Sequence, residues 1–150
     1  MYTIETSEDS FSVTFSSTRF LVSKTITDLE DFLLHTWGLQ KHSYYSLFIV
    51  SRELIENAQV HGNREDPEAT IQFRVERTNQ HSFRVTVQDE GDGFDYSTIN
   101  TSSSEDPQHL QQRGYVLISR LAQEISFNQK GNRITAQVTL DGDVQSSGHG

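Results

Sequence analysis

At 150 residues and a formal net charge of -9, the chain is long enough for one self-sufficient core and poorly suited to direct contact with nucleic acid. It has no cysteine, which excludes disulfides and thiolate metal sites and fits a reducing compartment. No apolar run approaches the length of a membrane span, and Met1 to Ser10 is polar and acidic where a secretory leader is basic and then apolar, so a soluble cytoplasmic protein is expected.

Along the chain, Phe11, Val13 and Phe15 alternate with Ser12, Thr14 and Ser16, the period of a strand with one face covered. Ser16, Ser17 and Thr18 then offer helix N-caps. From about Arg19 to Trp37 the apolar positions Val22, Ile26, Leu29 and Leu33 follow helical spacing, and Gly38 supplies a C-terminal stop. A second helix opens near His42-Ser43, with Leu47, Val50, Leu54 and Ala58 as its apolar stripe.

Beside that stripe Glu53, Asn57 and His61 are each four residues apart, so a continuous α-helix stacks them one turn above another. Asn57 falls at the border of the buried face. A carboxylate and a carboxamide aimed from a rigid helix into a cleft suit a base and a metal ligand, although polar residues flanking a core stripe are common on ordinary half-buried helices. For His61 the ordinary reading, a residue favourable to the helix dipole, outweighs catalysis.

Ile71, Phe73 and Val75 alternate, Thr78 to His81 reads as a connection, and Phe83, Val85 and Val87 alternate again, as in an antiparallel hairpin. The second strand runs into Asp89-x-Gly91-x-Gly93. Glycines permit close backbone approach and the aspartate can accept a hydrogen bond from an exocyclic amine, but Asp-Gly-rich tight turns are routine. From Tyr96 to Gln112 the chain is nearly devoid of apolar residues, the composition of a functional lid or of a surface insertion. Arg113-Gly114-Tyr115 opens a short third helix, Ile125 and Phe127 begin a strand, Lys130-Gly131-Asn132 marks a turn, and Ile134, Ala136, Val138 and Leu140 form the last strand. Residues 141–150 have nothing to bury and are expected to form a mobile tail after a single domain at 1–140. Strands with one apolar face need one covering layer, so the expected architecture is a two-layer α/β sandwich, a mixed and mostly antiparallel sheet covered on one face by helices. The six histidines are scattered, so no zinc site is expected.

Taken in order, a helix bearing Glu53-x-x-x-Asn57, a hairpin ending in Asp89-x-Gly91-x-Gly93, a polar segment and then Arg113-Gly114 opening a helix resemble the ATP-binding (Bergerat) domain shared by gyrase, Hsp90, histidine kinases and MutL. The resemblance runs from about Phe11 to Leu140. Within that superfamily the chain most resembles bacterial anti-sigma factor serine/threonine kinases. It shows no histidine-bearing dimerisation helices, Glu53 to Gly62 is similar to their Glu-Leu-x-x-Asn-Ala-x-x-His-Gly helix, and Arg113 to Ile118 is similar to their Arg-Gly-Leu-Phe-Leu-Ile lid exit.

The resemblance implies two cofactors, ATP and Mg2+. It makes Asn57 the ligand of the metal that bridges the phosphates, and Glu53 the general base or the group that orients the attacking hydroxyl. It makes Asp89 the acceptor of the adenine amino group beside Gly91 and Gly93, and sets Arg113 and Gly114 against the phosphates. The implied partners are an anti-anti-sigma (STAS-type) antagonist, phosphorylated on Ser or Thr, and a sigma factor that the protein sequesters. Direct nucleic-acid or membrane binding is not implied. Members often form homodimers, and the Phe11-Val13-Phe15 strand offers either an edge for this or an internal pairing. Where many members carry a glycine before the Arg-Gly pair this chain has Gln112, which motivates an alternative: a nucleotide-binding partner-switch module of weak or no catalytic activity, acting by protein binding alone.

Overall fold

The computed structural model describes residues 1–93 and 116–140. The polar segment from Tyr96 to Gln112, the Arg113-Gly114 pair and the tail at 141–150 lie outside the described residues. Six strands, β1 (Tyr2–Ser7), β2 (Ser10–Ser16), β3 (Thr70–Asn79), β4 (Ser82–Gln88), β5 (Glu124–Phe127) and β6 (Arg133–Thr139), form one sheet in the order β1-β2-β3-β4-β6-β5. Helices α1 (Arg19–Asp31), α2 (Lys41–Asn57) and α3 (residues 116–121) belong to the covering layer. The expected two-layer sandwich is therefore observed. Every strand pairing among the described residues is antiparallel, so no mixed pairing is found.

The register explains why one helical layer suffices. One row across the sheet reads Thr6, Phe11, Val75, Val85, Ala136 and Ile125, and the next reads Ile4, Val13, Phe73, Val87, Ile134 and Phe127. Side chains in a row point the same way, so a period-two pattern in each strand becomes a continuous apolar surface. Leu29, Leu33, Leu47, Val50, Leu54 and Ile55 from the helices close over it. The opposite rows carry residues such as Ser12, Arg74, Thr86 and Thr135, which suit a face left to water.

β1 is not anticipated by the apolar pattern, because only Tyr2 and Ile4 mark it. It forms by extending the sheet beside β2, with Tyr2 tilted against Phe15 and its hydroxyl donating to Asp28 at 2.6 Å. β2 is consequently internal, and β1 supplies the edge.

α1 begins where Thr18, in extended conformation, accepts the Leu21 N–H on its side-chain oxygen at 3.2 Å. Thr18→Ala leaves that N–H without its cap and is expected to lower stability by about 1 kcal/mol, seen as a lower urea midpoint. The helix closes in a π turn at Phe32–Thr36, and Gly38 with φ +65 reverses the chain as expected of a stop residue. Among the described residues, no helix is long and apolar enough to cross a membrane.

Candidate active site

α2 is anchored by the buried side chains of Leu47, Val50, Leu54 and Ile55, and this fixes where its polar border points. Glu53 and Asn57 both lie within the regular helix, one turn apart, as the spacing requires. The Glu53 side chain is mostly covered, 21% exposed, and its only ion pair among the described residues is a loose one to Arg52 at 3.8 Å. Burial raises its pKa, the neighbouring Glu56 charge adds to this, and Arg52 opposes it. Such a carboxylate holds a proton more readily than an exposed one.

Asn57 is buried to 9% exposure, yet its Nδ2 has no hydrogen-bond partner among the described residues. A buried amide donor without a partner carries its desolvation cost uncompensated, and an acceptor such as a phosphate oxygen would complete it. The carboxamide also offers a hard oxygen, the donor type that Mg2+ takes, and Mg2+ commonly needs few protein ligands when phosphates supply the rest. Among the described residues no three His, Asp or Glu side chains converge on a metal, and a single carboxamide is compatible with an ion brought in by phosphates. The residues present thus fit a Mg-nucleotide.

Immediately after Asn57 the helix changes character. Ala58–Gly62 is a π turn, closed by Asn63 N–H to the Ala58 carbonyl at 2.7 Å, and Glu65 N–H reaches the Gln59 carbonyl at 2.8 Å. The wider turn rotates less per residue than the α-helix before it, and His61 lies within it. Burial lowers the His61 pKa, which favours its neutral form. Arg64 and Glu65, both left-handed at φ +53 and +60, follow directly. Short π segments and left-handed non-glycine residues recur at functional sites because the surrounding structure must hold them.

The π turn delivers Gly62 against the end of β4. A Cβ on Gly62 would overlap the Asp89 carboxylate, and one on Gly91 would overlap the Gly62 carbonyl. Gly93, at φ +106, brings its Cα against the Lys130 carbonyl in the β5–β6 turn. The close approaches seen at these three glycines are therefore protein to protein. They join the end of α2, the Asp89-Gly93 turn and the β5–β6 turn into one junction, with Asp89 at its centre.

Asp89 Oδ1 accepts the Gly91 N–H at 2.7 Å, and Oδ2 has no hydrogen-bond partner among the described residues. Burial raises its pKa, while the Gly91 N–H and the Lys130 charge hold it down. The result is a half-buried carboxylate with one oxygen engaged by Gly91 and the other, packed against Gly62, without a hydrogen-bond partner among the described residues. A cavity of about 200 Å³ lies at this junction, lined by Gly62, Asn63, Arg64, Glu90, Gly91 and Asp92 among others but not by Asp89.

Four further residues are missed by motif reading. Asn63 accepts the Glu90 N–H, Glu90 accepts both the N–H and the hydroxyl of Thr70, and Asn132 pairs with the main chain of Asp89. Their only sequence signal is generic: asparagines at the ends of helices and strands tend to bond nearby backbone.

A helix-borne Glu-x-x-x-Asn pair, joined by a glycine junction to a strand-end aspartate on an antiparallel α/β sandwich, agrees with the ATP-binding class to which the sequence motifs point. The family model described as "Histidine kinase-like ATPase domain" matches residues 15–138. The chain belongs to that family, and so to the superfamily of gyrase, Hsp90, histidine kinases and MutL, whose domains bind ATP. No curated protein sequence matches the chain at a significant level.

Proposed function

We propose that this protein is an anti-sigma regulatory factor with ATP- and Mg2+-dependent serine/threonine kinase activity, which phosphorylates a STAS-type anti-anti-sigma antagonist and sequesters a sigma factor. The observation that carries the reading is the pair on α2: a half-buried Glu53 of raised proton affinity, one turn from a buried Asn57 whose Nδ2 has no hydrogen-bond partner among the described residues. A hydroxyl acceptor on a separate protein matches a domain equipped with its own carboxylate base.

In this mechanism Asp89 accepts a hydrogen bond from the adenine amino group on Oδ2. Asn57 would hold the metal through its carboxamide oxygen, and the resemblance assigns Arg113 and Gly114 to the phosphates. Bound Mg2+ supplies charge neutralisation across the phosphate oxygens. Glu53 receives the proton of the attacking Ser or Thr hydroxyl as the new oxygen–phosphorus bond forms and the bond from the γ-phosphorus to its bridging oxygen breaks, releasing ADP. Phosphoryl transfer demands mostly positioning and charge neutralisation, so this small set of groups is sufficient in kind. The test is transfer of the labelled γ-phosphate of Mg-ATP to a cognate STAS-type antagonist by the purified protein. Labelled phosphoserine or phosphothreonine on the antagonist is the expected product. A folded, ATP-binding protein that leaves its cognate antagonist unlabelled contradicts the proposal.

A further inference from the structure

The peptide group that joins Asp89 to Glu90 is held on both of its edges by asparagine side chains from different parts of the chain. Its N–H donates to Asn63 Oδ1 at 2.8 Å, and its carbonyl accepts from Asn132 Nδ2 at 3.2 Å. Asn63 belongs to the exit of the π turn and Asn132 to the β5–β6 turn. The plane of this peptide sets the direction in which the Asp89 side chain leaves the backbone, so two remote segments together aim the carboxylate.

Each asparagine is itself fixed. Asn63 is 6% exposed and uses all four of its polar groups. Besides holding Glu90, its side chain donates to the Thr70 carbonyl at 3.0 Å, its N–H reaches the Ala58 carbonyl at 2.7 Å and its carbonyl accepts the Asp66 N–H at 3.0 Å. Glu90 closes a ring by accepting from Thr70 N–H at 2.7 Å and Thr70 Oγ1 at 2.6 Å. On the other side, Asn132 Oδ1 accepts from Asn128 Nδ2 at 2.8 Å, and the Asn132 carbonyl accepts the Asp89 N–H at 3.0 Å. A side chain that must both donate and accept at this reach is asparagine, which a carboxylate or an aliphatic isostere cannot replace in full.

We infer that Asn63 and Asn132 are positioning residues for base recognition, which act through Asp89 by clamping the Asp89-Glu90 peptide. The inference rests on the reading of Asp89 as the acceptor of the adenine amino group. Adenine presents an amino donor at the position where guanine presents a carbonyl acceptor. A carboxylate fixed in place therefore attracts the first and repels the second, whereas one that swings discriminates less. Because a small misplacement of a recognition group is costly, loss of one arm of the clamp reduces the preference for ATP over GTP by about tenfold.

The test compares Mg-ATP and Mg-GTP affinities, by calorimetric titration, for the wild type, Asp89→Asn, Asn63→Ala, Asn63→Asp and Asn132→Ala, with urea unfolding run on each. The expected outcome is a marked ATP preference in the wild type that is lost in Asp89→Asn, reduced about tenfold in Asn63→Ala and in Asn132→Ala, and restored to within about threefold in Asn63→Asp, which keeps the acceptor for the Glu90 N–H. Either alanine variant carries the test if the other does not fold. A folded alanine variant that binds both nucleotides more weakly in equal proportion overturns the clamp and leaves Asp89 as the base-reading residue. Undiminished preference in Asp89→Asn overturns the reading of Asp89, and the clamp with it.

Discussion

Glu53→Gln is expected to bind Mg-ATP nearly as well as the wild type and to lose phosphoryl transfer by about 10²- to 10⁴-fold. The amide has the shape of the acid, so α2 and the Asn57 carboxamide one turn away are undisturbed, while the carboxylate assigned to take the hydroxyl proton is gone. Stability moves the other way. Burial and the Glu56 charge raise the pKa of Glu53 above its ordinary value of 4.5, so the folded chain binds this proton more tightly than the unfolded one. The resulting penalty on the folded state is absent below the ordinary value, develops as pH rises from 4.5 through the raised folded value, and is complete above it. At pH 7 the glutamine variant should therefore unfold at an equal or higher urea concentration than the wild type, and the difference should vanish as the pH falls below 4.5. Full-rate transfer by the folded variant contradicts the assignment of the base. A variant clearly less stable at pH 7 contradicts the account of its surroundings.

Gly91→Ala is expected to destabilise the fold by about 3 kcal/mol and to abolish nucleotide binding in whatever fraction remains folded. The added Cβ would overlap the Gly62 carbonyl, which is main chain at the exit of a π turn and cannot swing aside as a side-chain tip can. Relief requires the Asp89-Gly93 turn to separate from the end of α2, and Asp89 moves with it. Urea unfolding and Mg-ATP titration on the same preparation read both effects. An alanine variant of wild-type stability and affinity shows that the junction is looser than the geometry states.

The sheet was legible from the sequence because β2, β3, β4 and β6 each bury one face, and one-sided burial writes itself as alternation. β1 was not, since an edge strand with a single neighbour needs few apolar residues and only Tyr2 and Ile4 mark it. Glu53 and Asn57 could be placed on one helical line because both precede the π turn. The π turn that holds His61 could not be read, because nothing in Ala58 to Gly62 distinguishes a bond to the fifth residue from one to the fourth. Gly91 and Gly93 were recognised as sites of close approach, but what approaches them, the carbonyls of Gly62 and Lys130, comes from segments distant in sequence. The same holds for Asn63 and Asn132, whose partner peptide lies 27 and 43 residues away in the side-chain bonds they make. Motifs reported which chemical groups the site contains. The geometry that orients them depends on long-range hydrogen bonds that have no local signature.

The most direct test of the central claim is calorimetric titration of Mg-ATP into the wild type and Asn57→Ala, with urea unfolding of both. The account predicts binding by the wild type, weakened by about 10- to 100-fold or more in the variant. It also predicts no loss of stability, because the substitution removes a buried amide whose Nδ2 has no partner. Equal affinity in the two proteins, or no binding by a folded wild type, contradicts the assignment of this helix end as the metal-phosphate site.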